Sequence, residues 1–293
     1  MLDRVILGDN QFFGINHMSE EKAQALSERF RDLTAITDVI DTAYECGIRA
    51  FMLNTNERAK DICDYLRDNS ARYADLHMYP SMPYAHKYAN AVAEKGIFGA
   101  IKDTIIDGSG TGEIAGMLAK GGISLLTKDM LKVMQLLIDV EMKIFRGLDV
   151  KVIFLQNIVT DLLLGFGVKD VFVGYASYIR ERYGVEPGFV TMNMPKLVEF
   201  LLSCGIENPI VCSAINKAGF LMNPNREAYE RTLSERSFRP IAMSILASGG
   251  VHVKDAVEYV CGQLGVGSVV FGASSRSHIV ETKNMIESYP PNR

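Results

Sequence analysis

Two short turns near the C-terminal end carry the residue types best suited to holding an anion. The run Ile241–Leu246 ends in Ala247-Ser248-Gly249-Gly250, and Ser268–Phe271 ends in Gly272-Ala273-Ser274-Ser275-Arg276. Glycine lets a backbone amide approach a ligand closely, and a helix that starts just beyond leaves unpaired N–H groups facing it. Arg276 would add charge-assisted hydrogen bonds. Ser248, Gly249, Gly250, Gly272, Ser274, Ser275 and Arg276 therefore read as a phosphate site. Lys217 directly follows the apolar run Ile210–Asn216. Desolvated by Phe220 and Met222, its amine can lose a proton near neutral pH and attack a carbonyl. Kept charged, it can hold an anion, or it can simply face solvent. His17 has the residue type of a general acid or base, and Tyr79 could donate a proton.

Around these lie amides: Asn10, Asn54, Gln156, Asn157, Asn193 and Asn216. A set rich in amides and poor in carboxylates suits hydrogen bonding to a small polar molecule, phosphorylated or otherwise anionic. Glycoside cleavage wants paired acids, and calcium or magnesium wants several carboxylates. No His-x-x-x-His or His-Glu-x-x-His run is present, so no metal is expected.

The elements that must position these residues follow a repeated local pattern. Ala43–Ile48, Leu201–Ile206 and Cys261–Val266 each place a glycine at the end of a helix and just before a β-rich run. Helix, glycine and strand in steady alternation indicate parallel βα units. Eight strands are expected: Arg4–Leu7, Ala50–Leu53, Leu76–Tyr79, Lys151–Leu155, Phe189–Met192, Pro209–Ile215, Ile241–Leu246 and Ser268–Phe271. That count predicts a single-domain α/β chain, a (β/α)8 TIM barrel over 1–293, whose ligand-facing residues lie at the C-terminal ends of the strands. Residues 83–149 are too many for one crossover helix. They read as a helical insertion between strands three and four, with helices at His86–Lys102, Thr111–Lys120 and Lys128–Phe145, serving as a lid or an oligomer contact. Asp170–Arg182 is a further helix, and Ser19 is an N-cap for Ser19–Arg31.

The 293 residues carry a net charge of −4 with no basic run, which argues against nucleic acid as a partner. No apolar run reaches the ~18 residues that span a bilayer, and Met1-Leu2-Asp3-Arg4 starts no secretory signal. Five scattered cysteines read as small buried residues in a reducing cytoplasm. The composition is compatible with a homo-oligomer.

Both ends resemble the aldo-keto reductase superfamily. Arg4–Gly8 through Gln11-Phe12-Phe13-Gly14 is similar to that family's first strand, and Ala35–Thr55 to its first helix and second strand. Ile241–Gly250 and Val269–Met285 are similar to the strands that hold the NAD(P) phosphates. The family's Asp, Tyr, Lys and His are all replaced: Asn54-Thr55 stands for the Asp, no tyrosine follows in 56–63, Tyr79 stands for the Lys and Gln156-Asn157 for the His. The resemblance implies the barrel and its phosphate site, and NAD(P)-linked carbonyl oxidoreduction by a different acid. A narrower likeness, to Schiff-base aldolases of sugar phosphates, rests on Lys217 and the two Gly-Ser turns and implies a lyase. A barrel that binds a metabolite without catalysis is the third reading.

Overall fold

The computed structural model describes residues 1–15, 19–85 and 123–290. Eight parallel strands close a barrel: β1 (Val5–Leu7), β2 (Ala50–Asn54), β3 (His77–Met82), β4 in two pieces (Asp149–Val150 and Val152–Leu155), β5 (Glu186–Thr191), β6 (Ile210–Ala214), β7 (Arg239–Met243) and β8 (Ser268–Phe271). Neighbours in the chain pair all the way round, and β1 closes the ring on β8 with Val5 opposite Val269 and Leu7 opposite Phe271.

Strand geometry sends successive side chains to opposite faces. Val5, Leu7, Phe51, Leu53 and Ile153 pack outward on the helices. Ile6, Met52, Tyr79, Phe154, Val190 and Val270 fill the interior. The interior is full at mid-height: a Cβ on Gly188 would lie 2.4 Å from the Phe154 ring. Side chains thus plug the barrel, and only the layer above them is free to face a ligand.

The third strand runs past its expected end at Tyr79 to Met82. Pro80 can accept in the ladder but has no N–H to give. Opposite it the register slips: His77 pairs with Asp149 but Ser81 with Phe154, so four steps on β3 face five on β4. That extra residue is a bulge, and it separates the two pieces of β4 at Lys151.

The helices are α1 (Glu20–Arg29), α2 (Leu33–Glu45), α3 (Ala59–Asp68), α4 (Ile123–Met142), α5 (Asn157–Phe166), α6 (Lys169–Tyr183), α7 (Met194–Ser203), α8 (Arg226–Glu235), α9 (Val253–Gly262) and α10 (Arg276–Ser288). Gly47, Gly205 and Gly265, the three glycines of the repeated pattern, all have positive φ. Ser19 caps α1 by accepting from the Lys22 amide at 3.2 Å. Within the expected insertion, α4 begins at Ile123 rather than Lys128 and continues through a 3-10 turn, Lys143–Phe145. The expected helices His86–Lys102 and Thr111–Lys120 lie outside the described residues. No described helix is long and apolar enough to cross a membrane.

Candidate functional site

A cavity of about 390 Å³ opens at the C-terminal mouth of the barrel. The two-residue period that fills the interior also builds this cavity. Met52 points inward and so does Asn54; Tyr79 is followed on its face by Ser81, Phe154 by Gln156, Val190 by Met192 and Val270 by Gly272. All five of these upper residues line the cavity. Met52, Val190, Met243 and Val270 make its apolar floor, and the loops add Asn10, Gln11, Tyr84, Asn157, Ser244, Ser248 and Gly249.

The central group is Asp9, just beyond β1. It lines the cavity yet is only 4% exposed. Its Oδ2 accepts from the Asn54 amide at 2.7 Å, and the Asn54 side-chain Nδ2 lies 3.0 and 3.1 Å from its two oxygens. Burial disfavours the charged form and pushes the carboxyl from 3.8 to about 6, while the Asn54 donors pull the other way. Asp9 and Tyr84 are the only ionisable side chains among the described lining residues. Burial and the nearby charges of Asp9 and Glu57 hold the Tyr84 phenol above its usual range.

The rim beside Asp9 is tied down from two sides. Gln156, at the start of α5, accepts from the Ala85 amide at 2.8 Å. Glu141, near the end of α4 and 1% exposed, accepts from the Tyr84 amide at 3.3 Å and from the Thr55 hydroxyl. The ends of β2 and β4 and helix α4 therefore fix the backbone that carries Tyr84.

The loop after β7 concentrates unusual backbone. Ser244, Ala247 and Ser248 have φ of 53°, 46° and 55°, and Gly249 has 90°. Each non-glycine residue in that region costs of order 1–3 kcal/mol, and such strain gathers at ligand sites. The amides of Gly249 and Gly250, expected to face an anion, instead donate to Leu246 and Ala247 at 2.9 and 3.1 Å. Gly272 also has a different reason to be glycine: a Cβ there would fall 2.2 Å from Gln11 Oε1. That oxygen is buried and has no hydrogen-bond partner. Ser275 is the N-cap of α10 and accepts from the His278 amide at 3.4 Å. The cations near these turns come from an unexpected element. Helix α1, none of whose residues is buried, brings Lys22 Nζ to 3.9 Å from where a Gly249 Cβ would sit. Arg29 Nη2 donates to the Ser274 carbonyl at 2.6 Å.

Of the residues singled out in the sequence, the structure gathers Asn10, Asn54, Gln156, Asn157, Ser248, Gly249 and Gly272 around one cavity. The others lie elsewhere, each for a visible reason. Tyr79 is fully buried in the interior and donates to Asp3 Oδ2 at 2.5 Å, at the opposite end of the barrel. Its role as a proton donor loses its geometry, because β3 ends three residues later than expected. Lys217 is not desolvated: its ammonium lies 3.0 Å from Asp255 and its side chain is 53% exposed. A Schiff-base nucleophile needs an amine stripped of water and free of a counter-ion, and Lys217 has both water and Asp255 beside it. Asn193 caps α7, and Asn216 holds both main-chain groups of Phe220 at 2.8 Å. Gly250, Ser274 and Ser275 are not among the residues that line the cavity, and Arg276 pairs with Glu45 on the surface. His17 lies outside the described residues. Asp9 and Ser81, at the ends of the first and third strands, were legible in the sequence as ligand-facing residues, though without a chemical role of their own. Nothing local marked Tyr84, whose place depends on the length of β3.

A closed barrel of eight parallel strands with a polar cavity at the C-terminal mouth is a fold that the aldo-keto reductases share. The sequence matches no family model and no curated protein. Solved structures do match across nearly the whole chain. A Pseudomonas aeruginosa protein assigned as an aldo-keto reductase is 13% identical, with 98% of this chain and 91% of that one covered at a TM-score of 0.57. An aldo-keto reductase from a Medee basin deep-sea metagenome is 9% identical, covering 100% and 93% at 0.54. The Bombyx mori aldo-keto reductase, solved in complex with NADP, is 10% identical, covering 100% and 90% at 0.55. At these identities the likeness is one of fold.

Proposed function

We propose that the chain is an oxidoreductase that exchanges hydride between NAD(P) and a small polar molecule, with Asp9 as the group that moves the proton. The observation that carries this reading is a buried carboxyl at the strand-end cavity whose burial poises it at about 6. General acids and bases work best when they titrate near the operating pH. An exposed aspartate would be ionised throughout the neutral range and a poor donor. Asn54 holds the carboxylate in one orientation, and the apolar floor of Met52, Val190 and Met243 keeps bulk water from the layer beneath.

The residues present fit the cofactor. Lys22 and Arg29 bring positive charge to the turns after β7 and β8, where the amides of the first turn of α10 have no intrahelical acceptor. Gln11 Oε1 is a buried acceptor without a partner, which a carboxamide N–H can satisfy. When bound, a nicotinamide supplies the hydride acceptor or donor. Asp9 gives or takes the proton at the substrate's polar atom, and Ser81, Asn54 and Gln156 orient that atom by hydrogen bonding.

Fluorescence titration with NADPH, followed by absorbance of the reduced nicotinamide during turnover of a panel of aldehydes, ketones, alcohols and amines, tests the reading. Binding by the parent, and turnover lost in Asp9→Asn with NADPH binding kept, supports it. A chain that binds no NADPH would overturn it in favour of a metabolite-binding barrel.

A further inference from the structure

The chemical character of the cavity limits what its buried end can hold. Asp9 is 4% exposed, and among the described residues its carboxyl accepts from Asn54 and, as the smallest influence, from its own backbone amide. A carboxylate has about four acceptor positions, so one oxygen keeps capacity toward the cavity. The groups that face it are Asn54 from β2 and Tyr84 beyond β3. Behind Tyr84 stand two more acids, Glu57 after β2 and Glu141 from α4. No lysine, arginine or histidine is among the described lining residues, and no cationic side chain of the described residues is among the influences on the Asp9 carboxyl. The described cations of the region, Lys22 and Arg29, stand over the turns after β7 and β8.

Buried charges in folded proteins are normally paired, because an isolated one loses its hydration without return. Here the chain's described residues supply hydrogen bonds but no counter-charge. An anionic ligand end would meet a carboxylate and its field. A neutral hydroxyl would satisfy one acceptor and leave the charge uncompensated.

We propose that the Asp9 cavity binds a ligand through a protonated amine or iminium nitrogen, which forms the ion pair that the described residues do not give Asp9. This deepens the oxidoreductase reading by naming the class of substrate. It rests on that reading for the chemistry, though not for the binding.

Three probes of matched size separate the charge types: benzylamine, benzyl alcohol and benzoate, titrated by calorimetry into the full chain without cofactor. At pH 8 benzylamine should bind roughly tenfold or more tightly than either of the others, since only its ammonium attracts the carboxylate. Lowering the pH to 5 protonates Asp9 and should remove the preference, while benzylamine itself stays charged. Asp9→Asn should remove it at pH 8 as well. Should that variant not fold, the pH dependence in the parent still decides. Benzoate or benzyl alcohol binding as tightly as benzylamine at pH 8, or no binding of benzylamine at millimolar concentration, overturns the proposal. So does a preference that survives at pH 5. The two readings fail separately. A chain that takes benzylamine and refuses NADPH loses only its assignment as an oxidoreductase; one that binds NADPH and ignores the charge of the probe loses only this inference.

Discussion

Asp9 leaves a mark on stability as well as on chemistry. Its carboxyl titrates at about 6 in the folded chain and near 3.8 when unfolded. Between those values the native state holds a proton that the unfolded chain has released. The carboxyl is therefore well tolerated below about pH 4, and stability falls as the pH rises through 6. The linkage amounts to about 3 kcal/mol. Asp9→Asn removes this titration. Urea unfolding at pH 4 and pH 8 should show the variant gaining about 3 kcal/mol on the parent between the two conditions. A gain of the opposite sign would mean that the carboxylate is better paired than its surroundings show. Tyr79 offers the contrast. Its hydroxyl donates to Asp3 far from the cavity, so Tyr79→Phe should cost about 1–2 kcal/mol while NADPH titration stays at the parent value.

At the level of elements, the period of two decides both what was legible and what was not. The alternation in Ala50–Asn54 and Val152–Leu155 places Asn54 and Gln156 at the mouth without any knowledge of the fold. The same alternation in His77, Tyr79 and Ser81 ranks them bottom, middle and top, but only if the strand continues through Pro80. Two prolines close together read as a stop, and the bulge on β4 that accommodates the first is a tertiary event that a single segment does not announce. The turns after β7 and β8 were legible as special backbone, and Gly249 and Gly272 are required there. Yet Gly272 makes room for Gln11 rather than for a ligand, a long-range reason invisible along the chain. This yields a cycle. Gly272→Ala should destabilise by about 1–3 kcal/mol through the clash at 2.2 Å, and adding Gln11→Ala should recover most of that loss. Equal destabilisation in the single and double variants would show that another contact holds Gly272. Gly188→Ala, against the Phe154 ring and Val152 Cγ1 at 2.4 and 2.9 Å, should cost at least as much, with no second-site relief from Gln11→Ala.

For the whole molecule, eight parallel strands and their helices were readable from the helix–glycine–strand rhythm, because each unit announces itself locally. Helix α1 was readable as a helix but not as the bearer of Lys22 and Arg29 to the turns of β7 and β8, since that depends on where the first loop travels. The closure of the ring has a consequence in time. Val5, Ile6 and Leu7 are all buried in the finished barrel, and their second neighbour is Val269–Phe271, the last strand to be made. At about 5–20 residues per second, a ribosome takes on the order of 10–50 s to deliver β8 after β1. Throughout that interval an apolar strand has one edge without a partner, the condition under which nascent chains associate with one another or recruit chaperones. A chain ending at Gly262 should keep that edge open for good, and limited proteolysis should digest it throughout, while the same protease leaves the barrel strands of the full chain intact.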